Sequence, residues 1–268
     1  MNLESMLSIA RRAAANAGQV LMRHLSNGVV MRDKSAHGGA SYDLVSDADI
    51  EAEETVAAVL RAEFPEHELL GEETLRGPVD AEHLWIIDPL DGTNNFAHGI
   101  PHFAVSLAYW YRGEPTLGVI HNPARDDWYV ALRGHGATHN DRPVQVSPAT
   151  ELSKALVGCG FYYDRGQMMR STLDAIGELF ESNIHGIRRF GTAALDLCQV
   201  GCGQFGAFFE YQLSPWDFAA GVLFVTEAGG RVTTTSGQPI PLAKTSILAT
   251  NGHLHSAVQQ ITSKHYSG

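Results

Sequence analysis

Several protein classes can be set aside from what this sequence has little of. Cysteine occurs three times in 268 residues, at Cys159, Cys198 and Cys202. An odd number at unrelated spacings argues against a disulfide framework and against the Cys/His grid of a structural zinc site. Cys198 and Cys202, four apart in an apolar helical stretch, read as small buried hydrophobes, with a redox pair as the rival reading. No segment reaches 18 uninterrupted apolar residues, so no membrane-spanning helix and no membrane partner are expected. Basic residues are scarce: 19 Lys and Arg stand against 30 Asp and Glu, a formal charge of -11 with His neutral. That balance, with no local basic run, argues against tracking of a phosphate backbone, and nucleic acid is not expected as a partner. Neither a GxxxxGK[ST] string nor a strand-coupled GxGxxG string occurs. The opening residues MNLESMLSIARRAAANAGQVLMRHL lack the basic region and continuous apolar core of an export signal, so a cytoplasmic location is expected.

What is present is an ordinary globular composition, 44% apolar and 18% charged. A chain of this length buries roughly 70 to 75% of its unfolded surface, enough for one large domain or two coupled lobes. Leu3, Met6, Leu7, Ala10, Ala14, Ala17, Leu21 and Leu25 recur at helical spacing and predict a first helix. A loop or hairpin follows over NGVVMRDKSAHGGASYD, then a helix from about Ser46 that Pro65 stops. HELLG and HLWII read as buried strands ending abruptly in carboxylates. AVSLAYWY and TLGVIH, separated by a turn, continue into WYVALRGHGATHNDRPV. Strands in series without helical separators disfavour a purely parallel, doubly wound sheet. After about residue 150 strands and helices alternate, ending in a helix near NGHLHSAVQQITSKH. We therefore expect an N-terminal lobe over 1–150 and a C-terminal lobe over 151–268 that share an interface.

The densest chemical signal is Asp88-Pro89-Leu90-Asp91-Gly92-Thr93, directly after the apolar run Leu84 to Ile87. Two carboxylates three apart at a strand exit can converge if Pro89 and Leu90 turn the chain. Hard oxygen donors of this kind suit Mg2+. Gly92 lets backbone N–H groups approach an anion, and a helix start through Asn94 and Asn95 adds to that site. Glu72 and Glu73 follow a second strand, and Asp217 lies at the opening of a later helix. Acids turned toward one point raise each other's pKa unless a cation compensates.

Taken together, GEE at 71–73, WIIDPLDGTNNF at 85–96, HGIRRFGTAALDLC at 185–198 and SPWDFAAG at 214–221 resemble the inositol monophosphatase family of magnesium-dependent phosphatases. The resemblance runs from the first helix to the last. It implies an alternating α-β-α-β-α sandwich with mixed or antiparallel sheets, related to fructose-1,6-bisphosphatase. It places Glu72, Asp88 and the Leu90 carbonyl on a first metal, and Asp88, Asp91 and Asp217 on a second, with two or three Mg2+ per site. Backbone at Asp91, Gly92 and Thr93 would bind phosphate, while Thr93, supported by Glu72 and Asp49, would position the attacking, metal-activated water. Asp91, Gly191, Thr192, Ala193, Glu210 and Asp217 would select the substrate, with Lys34 as electrostatic support and Asp43 shaping its loop. A homodimer and Li+ sensitivity are also implied.

The chemistry agrees with that reading. A phosphate monoester dianion repels hydroxide, so a hydrolase must neutralise charge, provide a nucleophile and stabilise a departing alkoxide. The expected reaction is hydrolysis of inositol 1-phosphate or a close analogue. The enzymatic rivals are histidinol phosphate, then fructose-1,6-bisphosphate and 3'-phosphoadenosine 5'-phosphate, the last two disfavoured because no basic cluster for a second phosphate stands out in the sequence. The non-enzymatic rival is a metal-binding regulatory protein with a macromolecular partner.

Overall fold

The computed structural model describes residues 3–28, 31–33, 44–162 and 164–266. Lys34 and Asp43, both named from sequence, lie outside the described residues. The chain opens with α1 (Leu3–Asn27), whose buried stripe Met6, Ala10, Ala13, Ala14, Ala17 and Leu21 follows the predicted period. A short antiparallel pair, β1 (Met31–Asp33) and β2 (Leu44–Ser46), sets Met31 opposite Ser46 and leads into α2 (Asp47–Glu63). That helix ends two residues before Pro65, where the missing N–H and ring sterics forbid continuation.

Seven strands then form one sheet, ordered as in sequence: β3 (Glu68–Gly71), β4 (His83–Asp91), β5 (Ala104–Tyr111), β6 (Glu114–Asn122), β7 (Asp127–Leu132), β8 (Gly136–His139) and β9 (Arg142–Pro143). Only β3 and β4 run parallel within it. One short helix, α3 (Thr93–Ala97), interrupts the series after β4. The second sheet takes the order β11-β10-β12-β14-β13, from β10 (Leu156–Cys159), β11 (Gly186–Arg188), β12 (Ala207–Leu213), β13 (Arg231–Thr233) and β14 (Thr245–Thr250). Here β10 is parallel to β11 and β12, while β14 is antiparallel to β12 and β13. The remaining described α-helices are α4 (Gln167–Glu181), α5 (Ala193–Gly201), α6 (Pro215–Glu227) and α7 (His255–His265).

The pleat explains the layering. On β4, Trp85 and Ile87 join the core with α1 and α2, whereas Leu84 and Ile86 face the opposite way, toward α5 and α6. On β12, Phe208 packs with α5 and α6, and its neighbour Phe209 packs with α4 and α7. Both faces of both sheets are thus covered, which is why the strands read as continuous apolar runs. The result is the expected α-β-α-β-α sandwich with mixed sheets. The α5/α6 layer joins the two sheets, and α6 carries apolar side chains to each of them. Edge strand β11 was not legible, since three residues are too few to show a period. No described helix is long and apolar enough to cross a membrane.

Candidate active site

Parallel pairing of β3 and β4 brings their C-terminal ends to one edge, with the Glu72 N–H donating to the Ile87 carbonyl at 3.3 Å. Asp88 and Asp91 end β4. Three apart on a regular strand, they would point to opposite faces. Pairing with β5 shows how this is avoided: Asp88 is opposite Ser106, but Asp91 is opposite Ala104, so β4 carries one extra residue. This bulge reverses the alternation and lets both carboxylates line the same cleft. The Leu90 N–H donates to Asp88 Oδ1 at 3.0 Å inside the bulge, and the Thr93 hydroxyl donates to the Leu90 carbonyl at 3.1 Å.

Gly92 closes the motif at φ +92°, where a side chain is disfavoured. A Cβ there would stand 2.5 Å from Thr192 Oγ1 and 3.2 Å from the His102 carbonyl. Asn95 fastens this turn across the sheets, donating to the carbonyls of His102 and Phe190, each at 2.8 Å. From the other half of the chain, the N–H of Ala194 at the start of α5 donates to Asp91 Oδ2 at 2.7 Å. Asp217 sits in the first turn of α6, in a capping box with Ser214: its Oδ2 accepts the Ser214 N–H at 2.6 Å. That helix starts at Pro215, one residue earlier than its apolar pattern implies.

The cleft has a volume of about 280 Å³. It is lined by Glu72, Asp88, Leu90, Asp91, Gly92, Thr93, Gly191, Thr192, Ala193, Glu210 and Asp217, so distant parts of the sequence meet there. Asp49 is buried in the first turn of α2 and is not among the lining residues. Burial, and after it the charges of Glu72, Asp91 and Asp217, push the Asp88 carboxyl well above the ordinary carboxylate range. Asp91 is pushed the same way by burial and then by Asp217. Glu210 follows, through burial and the charge of Asp217.

Whether these residues suit divalent cations can be judged from the donor set. Among the described residues no three His, Cys, Asp or Glu side chains stand close enough to hold a metal ion by themselves, so a cation here would need main-chain oxygens and water to complete its shell. Buried, mutually repelling carboxylates beside a carbonyl fit a hard cation that keeps part of its water shell, as Mg2+ does. The donors therefore fit Mg2+.

Four further residues complete the cleft. Gly160 leaves room for Glu210, because a Cβ there would lie 1.7 Å from Glu210 Oε2. Asp196, on α5, is buried, with Oδ1 lacking a hydrogen-bond partner among the described residues, and burial pushes its carboxyl well upward. Lys244 and Arg189 bring positive charge to the same lining. Arg189 and Asp196 lie inside the string HGIRRFGTAALDLC, yet nothing in their spacing marks them; Gly160 and Lys244 carry no local signal at all.

Comparison with known proteins agrees with this fold. A sequence model described as the inositol monophosphatase family matches residues 2–266. The chain is 42% identical over 255 residues to a Pseudomonas aeruginosa protein named Nus factor SuhB, covering 93% of this chain and 92% of that one. The solved inositol monophosphatase from Anabaena superposes with a TM-score of 0.86 at 39% identity, over 98% of this chain and 97% of that one. A staphylococcal inositol monophosphatase-1, solved as a LiCl-soaked inhibitory complex, superposes with a TM-score of 0.87 at 28% identity, covering 97% of this chain and 95% of that one. On this coverage, the chain belongs to the inositol monophosphatase family.

Proposed function

We propose that this protein hydrolyses a small phosphate monoester in a Mg2+-dependent reaction, with inositol 1-phosphate as the first candidate. The observation that carries the reading is the β4 bulge, which turns Asp88 and Asp91 into one cleft with Glu72, Glu210 and Asp217. Glu72, Asp88 and the Leu90 carbonyl would hold one Mg2+, and Asp88, Asp91 and Asp217 a second, with room for a weaker third near Glu72. Bound there, Mg2+ supplies charge neutralisation at phosphorus, activation of water and stabilisation of the departing oxygen.

The chain's own residues do the positioning. Gly92, having no Cβ, lets phosphate approach the N–H groups of residues 91–93. The Thr93 hydroxyl donates to the Leu90 carbonyl, so its lone pairs remain to accept a hydrogen bond from the attacking water. Glu72 and Asp49 support that alignment. Glu210 accepts hydrogen bonds from hydroxyls of the alcohol, beside the main chain of Gly191, Thr192 and Ala193. A substrate lacking those hydroxyls leaves Glu210 buried and unpaired, which rejects it. Li+ inhibits at a weak Mg2+ position, in line with the staphylococcal LiCl complex. The active form is a homodimer.

A second substrate reading rests on Lys244 and Arg189: two cations on the cleft lining suit an alcohol that carries another anionic group. Turnover of inositol 1-phosphate, histidinol phosphate, fructose-1,6-bisphosphate and 3'-phosphoadenosine 5'-phosphate, followed as phosphate release with Mg2+ and with EDTA, separates these cases. Preference for inositol 1-phosphate, lost in EDTA, is expected. Faster turnover of histidinol phosphate overturns the inositol assignment, and faster turnover of a bisphosphate favours the second reading. The name of the Pseudomonas relative points to a non-catalytic role, which retained Mg2+ binding without turnover on any of the four would support.

A further inference from the structure

Glu53 lies in α2 one turn after Asp49 and is fully buried, yet it is not part of the cleft lining. Its carboxylate takes up consecutive donors of the segment that carries Glu72. Oε1 accepts the Glu73 N–H at 2.9 Å, and Oε2 accepts both the Thr74 N–H at 2.6 Å and the Thr74 hydroxyl. The approach is close: a methyl group on Gly71 would stand 2.2 Å from Glu53 Oε1. From the other side, the Arg76 guanidinium donates to the carbonyls of Glu73 at 2.6 Å, Leu75 at 2.7 Å and Gly71 at 3.2 Å. One buried acid thus takes the N–H groups of the loop and one base takes its carbonyls. Glu72 sits between these anchors.

We infer that Glu53 is a positioning residue, which fixes the backbone immediately after Glu72 so that the Glu72 carboxylate is presented to the cleft before a cation arrives. The inference rests on the proposed role of Glu72 in holding Mg2+. Three bonds to a single carboxylate far exceed what is needed to end a four-residue strand. Preorganisation of a cation ligand gives them a use, because a ligand free to swing must be ordered at the moment of binding.

Glu53→Gln keeps the shape but replaces one acceptor by an NH2, which must face either the Glu73 N–H or the Thr74 N–H as donor against donor. Mg2+ affinity measured by calorimetry on the whole protein is expected to fall about 10- to 100-fold. The Mg2+ concentration for half-maximal turnover is expected to rise by the same factor, with kcat recovering when Mg2+ is raised. Thr74→Val, which removes only the hydroxyl bond, is expected to shift both in the same direction by less, and serves if Glu53→Gln does not fold. Unchanged Mg2+ affinity in a folded variant, with only a lowered unfolding midpoint, overturns the inference and leaves Glu53 a structural group. Wild-type protein that binds no Mg2+ overturns the role of Glu72 as well, so the two failures are distinct.

Discussion

Gly92→Ala tests whether the turn beside the proposed phosphate site is fixed by contact as well as by backbone conformation. At φ +92° an alanine incurs about 1–2 kcal/mol for the left-handed region. The new Cβ would also stand 2.5 Å from Thr192 Oγ1 and 3.2 Å from the His102 carbonyl, so the Thr192 hydroxyl must move. That hydroxyl donates to the His102 carbonyl at 3.0 Å and receives Asn95 Nδ2 at 3.3 Å, and losing these bonds costs about 1–2 kcal/mol more. The sum is about 2–4 kcal/mol, or on the order of 10 °C in the unfolding midpoint. Gly113→Ala is the matched control. Gly113 has φ +77° in the two-residue turn between β5 and β6, but no described residue places an atom within 4 Å of its would-be Cβ. It should lose only the backbone part, about 1–2 kcal/mol. Urea unfolding of both variants gives the comparison, with phosphate release as a second measure in which only Gly92→Ala should be impaired. Equal destabilisation of the two refutes the contact argument.

Three other outcomes follow from the same geometry. Asp88→Asn should lower turnover by about 10²–10³-fold or more, yet raise the unfolding midpoint measured in EDTA, because a neutral amide escapes the burial cost and the repulsion by Glu72, Asp91 and Asp217 that an ionisable carboxyl meets there; a lowered midpoint would contradict the repulsion. In metal-free protein Asp88, Asp91, Glu210 and Asp196 bind protons more tightly folded than unfolded, because burial raises each pKa, so stability should fall as pH rises through those elevated values. Saturating Mg2+ should flatten that slope, and thermal midpoints from pH 6.5 to about 8.5 with and without the ion check it. Burial pushes the Cys159 and Cys202 thiols up to about 12, so neither should react appreciably with a thiol reagent at neutral pH unless the protein unfolds, as a timed labelling experiment can show.

Much of this protein was legible in one dimension because its strongest signals are local. The helical spacing of α1 and α2, the apolar runs of β4, β5 and β6, and the terminal carboxylates of DPLDGT depend on neighbours a few residues away. The distinctive strings at 71–73, 85–96, 185–198 and 214–221 added the order in which the site's parts occur. What periodicity could not convey was parity and partnership. Whether Asp88 and Asp91 share a face depends on one unpaired residue in a ladder with β5, and that pairing is set by the fold of the whole sheet. Gly160 acts by leaving space for Glu210, fifty positions later, and Glu53 acts through the backbone of a loop 20 residues away. Lys244 joins the cleft because β14 lies beside β12. Sequence by itself determined most of the elements, their order and the main acidic groups; only packing of distant segments decided which acids, spaces and cations converge, since burial and charge act through space and leave no mark in local spacing.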